Sequence, residues 1–155
     1  MGVGGYVVQL AAALGGHVTA TGRAADGDFI LGLGAERFAD AATAPSALAD
    51  DRYDIVIDTV GGAALAASCA LVRPGGRPVT IGAPPSAELA NQHGVHGMFF
   101  VVEPDRHELA ILADMTADGR LHAMVSQTFP LRDGQRAFES SGRARPLGKA
   151  VLLVG

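Results

Sequence analysis

At residues 53–62 the chain reads YDIVIDTVGG, a run rich in Val and Ile that passes directly into two glycines. Short apolar runs of this kind, bounded by turn residues, are typical of strands that are covered on both faces of a sheet. Runs of the same character occur at residues 17–21, 77–82 and 98–102. We therefore predict buried strands at these four places.

Segments with helical spacing lie between the predicted strands. They cover residues 3–14, 28–33, 62–71 and 104–117, the last with a proline in its first turn and Gly119 just past its end. A strand at 125–129, a helix from 131 to about 140 and a strand at 150–154 complete the order, and Pro74-Gly75-Gly76 is interpreted as a turn between helix and strand. This alternation predicts an α/β fold, in which helices cover both faces of a parallel sheet.

Composition and charge narrow the class of protein further. The 155 residues are 48% hydrophobic and 18% charged, which fits one globular domain. A net charge of -4 gives no general attraction to nucleic acid or to an anionic membrane surface, so we expect neither as a partner. The single Cys69 excludes an internal disulfide and favours a reducing, cytoplasmic setting. The apolar run at 6–14 is too short to span a bilayer and has no basic leader, so we expect no targeting segment.

Glycines open the first predicted helix, where Gly2, Val3, Gly4 and Gly5 stand together. Backbone N–H groups at such a place can approach an anion at the positive end of the helix dipole. The full dinucleotide fingerprint also needs a strand before the glycines, and Met1 stands where that strand should end. By itself, this segment is a weak indication of an anion site.

The next predicted strand ends in Thr21, Gly22 and Arg23, where a dinucleotide-binding fold reads the adenosine ribose. A carboxylate there would bind the 2′-hydroxyl and repel a 2′-phosphate, whereas an arginine can pair with the phosphate. The absence of a carboxylate modestly favours NADP over NAD. An ordinary solvated loop charge at Arg23 is an equally weighted interpretation.

Two further strand ends carry glycines. Asp58, Thr59 and Val60 lead into one glycine pair, and Gly82 and Ala83 follow the next strand. Ligands of open parallel sheets gather at the carboxyl ends of the strands, and a glycine there lets a flat ring lie against the backbone. The two ends together predict a ligand cleft.

The remaining chemistry-bearing residues have simpler interpretations. We expect His93 and His96 to lie in a loop and to bind no metal, because no neighbouring Cys or Glu completes a site. Cys69 is interpreted as a small buried apolar residue. The basic residues Arg143, Arg145 and Lys149 are interpreted as a solvated patch, with contact to a phosphate as the alternative.

Four motifs in the same order resemble the cofactor half of the medium-chain dehydrogenase/reductases. They are GVGGYVVQLA at 2–11, YDIVIDTVGG at 53–62, LVRPGGR at 71–77 and GKAVL at 148–152. The chain is most similar to the quinone oxidoreductase branch, which is also labelled zinc-binding dehydrogenase although that branch usually lacks zinc. The resemblance implies one Rossmann-like NAD(P)-binding domain over residues 1–155.

The resemblance also implies a place for each residue along bound NADP(H). It puts Gly2, Val3, Gly4 and Gly5 at the pyrophosphate, and Thr21, Gly22 and Arg23 around the ribose and its 2′-phosphate. It puts Asp58, Thr59 and Val60 along the cofactor, Gly82 and Ala83 beside the nicotinamide, and the backbone of Phe99, Phe100 and Val101 at the carboxamide. For the two phenylalanines, a position in the core is the more frequent role of such residues.

The chain departs from the family in ways that bear on activity. We expect the amino-terminal catalytic domain and the first, central strand of the sheet to be absent. Asp40-Ala41 stands where relatives have Asp-Tyr, and Asp26 replaces a basic residue, so we expect weak cofactor affinity. No catalytic residue is assigned.

The expected function is therefore hydride transfer from NADPH to a quinone or enone, by a chain that holds only the cofactor half and is inactive alone. A non-catalytic nucleotide-binding fragment or a subunit of a split enzyme is the alternative. A Rossmann methyltransferase also suits residues 71–77, but Gly22-Arg23 lacks the acidic residue that such enzymes need. The apolar strand at 98–102 predicts a homodimer.

Overall fold

The computed structural model describes residues 2–143 and 147–155, in which helices and strands alternate. The helices are α1 (Val3–Ala13), α2 (Gly27–Gly32), α3 (Ala44–Ala47), α4 (Ala63–Leu71), α5 (Ala87–His93), α6 (Arg106–Ala117) and α7 (Gly134–Arg143). The strands are β1 (Thr19–Gly22), β2 (Arg37–Asp40), β3 (Tyr53–Asp58), β4 (Val72–Thr80), β5 (Met98–Phe99), β6 (Val125–Pro130) and β7 (Lys149–Leu153). The predicted α/β class is confirmed.

The strands of the described residues form three small sheets. One has the order β3-β4-β5, and the others pair β1 with β2 and β6 with β7. The ladders within the first sheet and between β6 and β7 are parallel, as predicted. None of the helices in the described residues has both the length and the apolar character needed to cross a membrane.

The chain divides into two compact units, of which the first comprises residues 1–20, 28–37 and 106–155. Its buried apolar side chains include Val8 of α1, Ile30 of α2, and Leu121 and Met124 before β6. These residues come from segments far apart in the sequence. Burial of their side chains stabilises the association of those segments in one unit. The prediction of one domain over residues 1–155 stays a prediction.

Gln9 ties α1 to the segment before β6 inside this unit. Its buried amide donates to the carbonyl oxygen of His122 over 3.2 Å and accepts from the His122 N–H over 2.7 Å. One turn earlier, the Tyr6 hydroxyl accepts from the Met124 N–H over 3.3 Å. Two side chains of α1 are therefore hydrogen-bond partners for backbone groups of His122 and Met124, which lie before β6 and outside any ladder.

Replacing Gln9 by alanine is expected to lower the free energy of unfolding by about 2 kcal/mol, because two backbone groups of His122 would lose their partner. Urea denaturation measures the change. The matched control is Gln135→Ala, which removes an exposed side chain whose amide donates to the Glu139 carboxylate at 2.9 Å. That control should change stability by less than about 0.5 kcal/mol, and an equally small effect at Gln9 would contradict the tie.

The second unit comprises residues 21–27 and 38–105 and contains the β3-β4-β5 sheet. Helix α4 packs on this sheet through Leu65 and Cys69, which are four residues apart and buried. Val72, the first residue of β4, is buried as well. This packing fixes α4 against the strands whose carboxyl ends carry the candidate site.

The turn predicted at Pro74-Gly75-Gly76 is wrong in its position. The chain passes from α4 directly into β4, and the three residues form a bulge inside that strand, since Tyr53 pairs with Val72 but Ile55 pairs with Arg77. A Cβ on Gly76 would lie 2.8 Å from the carbonyl oxygen of Asp54. The glycine thus allows β4 to stay close to β3 through the bulge.

Three further expectations differ from the structure. Ile55 and Ile57 are 48% and 43% exposed, so β3 is not covered on both faces: α4 packs on the sheet, yet the face with these two side chains remains open. Strand β5 ends at Phe99 and not at residue 102, because β4 ends at Thr80 and residues 100–102 have no strand beside them. Helix α6 begins at Arg106, which leaves Pro104 ahead of its first turn.

Candidate functional site

Asp58 ends β3 and holds the turn that follows it. Its side chain is only 5% exposed and accepts three hydrogen bonds. The donors are the N–H groups of Val60 at 3.2 Å and Gly61 at 2.8 Å, and the hydroxyl of Thr80 at 3.1 Å. A buried carboxylate needs such donors, and here they are supplied by the turn itself and by the neighbouring strand.

Thr80 extends the same network to the end of β4. It is fully buried, and its hydroxyl donates to Asp58 and accepts from the Gly82 N–H at 3.1 Å. The turn after β3 and the turn after β4 are therefore connected through two side chains. Thr80 was not among the site residues predicted from the sequence, although its place near the end of a predicted strand was a usable signal.

The main chains of the two turns approach each other closely at Gly61 and Gly82. A Cβ on Gly82 would lie 3.1 Å from the Gly61 Cα and 3.2 Å from the Gly61 nitrogen, and Gly61 adopts a φ of +82°. Gly82 and Ala83 are exposed, while Gly61 is buried beneath them. We call Gly61, Gly82 and Ala83 the glycine ledge: a flat surface of main chain and one methyl group at the carboxyl edge of parallel strands.

Other predicted site residues lie in the turn after β3 and at the end of β5. Thr59 is half-buried and Val60 is exposed in the turn after β3. Phe99 pairs with Thr80 across the ladder, and Phe100 and Val101 continue from it as exposed residues. The structure thus brings Asp58, Gly82 and the β5 end into one sheet edge, and the two phenylalanines are not core residues.

Cys69 lies below this edge, on the α4 face that packs against the sheet. Burial raises the pKa of its thiol, and the nearby Asp58 carboxylate raises that pKa further. Both effects disfavour the thiolate, which is the nucleophilic form of cysteine. The prediction of a small buried apolar residue is confirmed.

The predicted ribose-reading segment lies at the end of β1 in the second unit. Arg23 forms a two-point ion pair with Asp26, with Nε to Oδ2 at 2.8 Å and Nη2 to Oδ1 at 3.0 Å. The Asp26 N–H also donates to the Arg23 carbonyl oxygen at 2.8 Å. The ion pair was not predicted from the sequence, although a spacing of three residues was the available signal for it.

The glycine segment at residues 2–5 belongs to the first unit. Gly2 is the N-cap of α1 without a side-chain cap, and Val3, Gly4 and Gly5 form the first helical turn. Lys149 begins β7, and its ammonium nitrogen lies 3.8 Å from where a Cβ on Gly2 would stand. The exposed lysine thus adds positive charge to a helix end that is already positive. Of the other basic residues, Arg145 lies outside the described residues.

His93 ends α5 and His96 follows a left-handed Gly94, so the two do not share a helix face. Within residues 2–143 and 147–155 no three His, Cys, Asp or Glu side chains are grouped so that they could hold a metal ion. These residues do not fit a zinc site.

Comparisons with known proteins agree with this geometry. Residues 33–152 match the model of the family described as zinc-binding dehydrogenase. The quinone oxidoreductase of Coxiella burnetii has the same fold, with a TM-score of 0.84 and 27% identity over 99% of this chain and 50% of that one.

Two curated relatives share a clear similarity in sequence. The polyketide synthase GfsB of Streptomyces halstedii is 34% identical over 164 residues, which cover 99% of this chain and 3% of that protein. The 2-haloacrylate reductase of a Burkholderia species is 30% identical over 115 residues, which cover 64% of this chain and 34% of that protein. The chain thus spans half or less of the length of each protein compared. The resemblance to the medium-chain dehydrogenase/reductases is confirmed, and the chain belongs to their zinc-binding dehydrogenase family.

Proposed function

We propose that this chain is the NADP(H)-binding half of a reductase that transfers hydride to a quinone or another conjugated carbonyl compound. The observation that carries the proposal is the glycine ledge, where two turns at the carboxyl edge of a parallel sheet are connected by Asp58 and Thr80. Open α/β sheets bind ligands at this edge. Of the proteins compared, one is a quinone oxidoreductase and one a 2-haloacrylate reductase, and both names denote reduction of an electron-poor unsaturated compound.

The ledge gives a flat ring a place to bind. No side chain larger than a methyl group rises from Gly82 or Ala83, and the backbone beneath is held by the buried network. In this proposal the nicotinamide lies on Gly82 and Ala83, Asp58, Thr59 and Val60 flank the cofactor, and the backbone of Phe99, Phe100 and Val101 faces its carboxamide. Asp58 acts here as a positioning residue, since its oxygens already accept three hydrogen bonds.

The phosphates are assigned to two other segments. Gly2, Val3, Gly4 and Gly5 form the N-terminal end of α1, where the helix dipole is positive. The Gly5 N–H donates to the Gly2 carbonyl oxygen at 3.2 Å, and Lys149 supplies a nearby cation. Thr21, Gly22 and Arg23 receive the adenosine ribose, and Arg23 faces its 2′-phosphate.

The nicotinamide, when bound, supplies the hydride. The chain's own residues bind and orient it, and the residues that bind the carbonyl substrate and deliver its proton are assigned outside these 155 residues. The described residues hold no set of ligands for a zinc ion. We expect the reaction to belong to the cytoplasm, in keeping with the composition.

Two measurements on the purified chain test the proposal. Calorimetric titration with NADPH should show saturable binding, and incubation with NADPH plus a quinone or an enone should show no turnover. Adding a separately expressed substrate-binding half should restore reduction if the two halves form one enzyme. Absence of NADPH binding at millimolar concentration would reject the proposal, and S-adenosylmethionine serves as the control nucleotide.

We also propose that two copies of the chain pair through residues 98–102. All five residues, Met98, Phe99, Phe100, Val101 and Val102, are exposed and apolar. Among the residues that the structure describes, β5 has a strand beside it on one edge only. An exposed strand edge with apolar side chains is a template for pairing with another chain.

Val102→Glu is therefore expected to convert a dimer to a monomer, because it places a charge in the pairing surface. Sedimentation equilibrium measures the mass. Val154→Glu, at another exposed valine, is the matched control and should leave the mass unchanged. A monomeric unsubstituted chain would contradict the pairing.

A further inference from the structure

The Arg23–Asp26 pair has an unusual position for a purely structural ion pair. Arg23 is at the end of β1, where the proposed function puts the 2′-phosphate, and its side chain is about half exposed, at 49%. Asp26 is 8% exposed and lies in the short turn that follows. The guanidinium is therefore accessible to a ligand, while its partner carboxylate is buried and accepts two hydrogen bonds from it.

The backbone keeps the two side chains in this arrangement. The Asp26 N–H donates to the Arg23 carbonyl oxygen at 2.8 Å, which closes the turn between them. Gly27, next in the chain, lies under the ring of Phe38: a Cβ on Gly27 would be 3.0 Å from that ring. Since the turn is fixed on both sides, the carboxylate stays beside the guanidinium when a ligand arrives.

The ion pair changes the net charge that a bound nucleotide would meet at this site. A phosphate monoester carries close to two negative charges near neutral pH, whereas the ribose hydroxyl that it replaces is neutral. An arginine alone would favour the phosphate strongly. Because Arg23 is paired with Asp26, the two side chains together carry no net charge. The Asp26 carboxylate also repels the phosphate at short range.

We propose that Asp26 is a specificity-determining residue that weakens discrimination between NADPH and NADH. This inference rests on the proposed function, because it concerns the ribose end of the same cofactor site. The replacement of a basic residue by Asp26 predicts weaker binding of the cofactor. The effect proposed for Asp26 is a different one, namely on the ratio of the affinities for NADPH and NADH.

The experiment measures dissociation constants for NADPH and NADH by calorimetry on the unsubstituted chain and on Asp26→Asn. Asparagine keeps the size of the side chain and an oxygen that can accept from Arg23, but it removes the negative charge. We expect the unsubstituted chain to bind the two cofactors within about tenfold of each other, and Asp26→Asn to shift the ratio toward NADPH by about tenfold.

The matched control is Asp54→Asn, which makes the same charge change at an exposed carboxylate near the start of β3. It should leave the ratio unchanged. Arg23→Gln should shift the ratio toward NADH, since the phosphate then meets the carboxylate without its cation. This second variant and the unsubstituted ratio test the inference even if Asp26→Asn does not fold.

The outcomes separate this inference from the proposed function. If both cofactors bind and Asp26→Asn leaves the ratio unchanged or shifts it toward NADH, Asp26 has no such role and the proposed function stands. A preference of the unsubstituted chain for NADPH above about a hundredfold also overturns the inference. If neither cofactor binds any variant, the proposed function fails, and the inference fails with it.

Discussion

A chain with valine in place of Gly82 is expected to bind NADPH at least about a hundredfold more weakly than the unsubstituted chain. An added Cβ would lie 3.1 Å from the Gly61 Cα and 3.3 Å from the Val60 carbonyl oxygen, and both are backbone atoms that cannot rotate away. The rest of the side chain would occupy the glycine ledge, where we place the nicotinamide. Calorimetric titration measures the loss.

The control for this change is Gly32→Val at the end of α2. A Cβ on Gly32 would meet nothing within 4 Å, so the substitution adds the same atoms without a clash. It should leave the dissociation constant unchanged. If Gly82→Val is folded by circular dichroism and binds NADPH as the control does, the nicotinamide does not lie on the ledge.

Asp58→Ala is expected to lower the free energy of unfolding by about 4 kcal/mol. Three donors lose their acceptor: the N–H groups of Val60 and Gly61 and the hydroxyl of Thr80. Thr80 is completely buried, so water cannot replace the carboxylate there. Urea denaturation at neutral pH measures the loss.

Asp54→Ala is the matched control, because it removes a carboxylate from the same strand. Its side chain is 78% exposed and pairs with an exposed Arg73, a kind of ion pair that contributes about 1 kcal/mol or less. A similar, small effect of the two substitutions would show that the Asp58 network does not hold the two turns together.

Local features of the fold were predictable from the sequence. The limits of β3 agree with the YDIVID run, and a glycine at position 119 ends α6 with a φ of +74°. Both signals depend on neighbouring residues only. The exposure of Ile55 and Ile57 was not predictable, because it depends on which distant elements cover that face of β3.

In the candidate site, too, the features with a local signal were predictable and those that depend on distant residues were not. Glycines at strand ends identified Gly61 and Gly82 from the sequence, since each signal is local. The hydrogen bond between Asp58 and Thr80 joins residues 22 apart and follows from the register of β3 against β4. The approach of Lys149 to Gly2 depends likewise on the fold of the first unit, where β7 and the start of α1 come together.

The two side chains under the glycine ledge also bear on the entropy of binding. With the Gly61 and Gly82 N–H groups already hydrogen-bonded, the two turns have little conformational freedom left to lose when a planar ring settles on them. Rigidity present before the encounter keeps the ordering cost small. A small contact area can then still give measurable affinity. This matters for the glycine ledge, because it has few side chains that could contact a ligand.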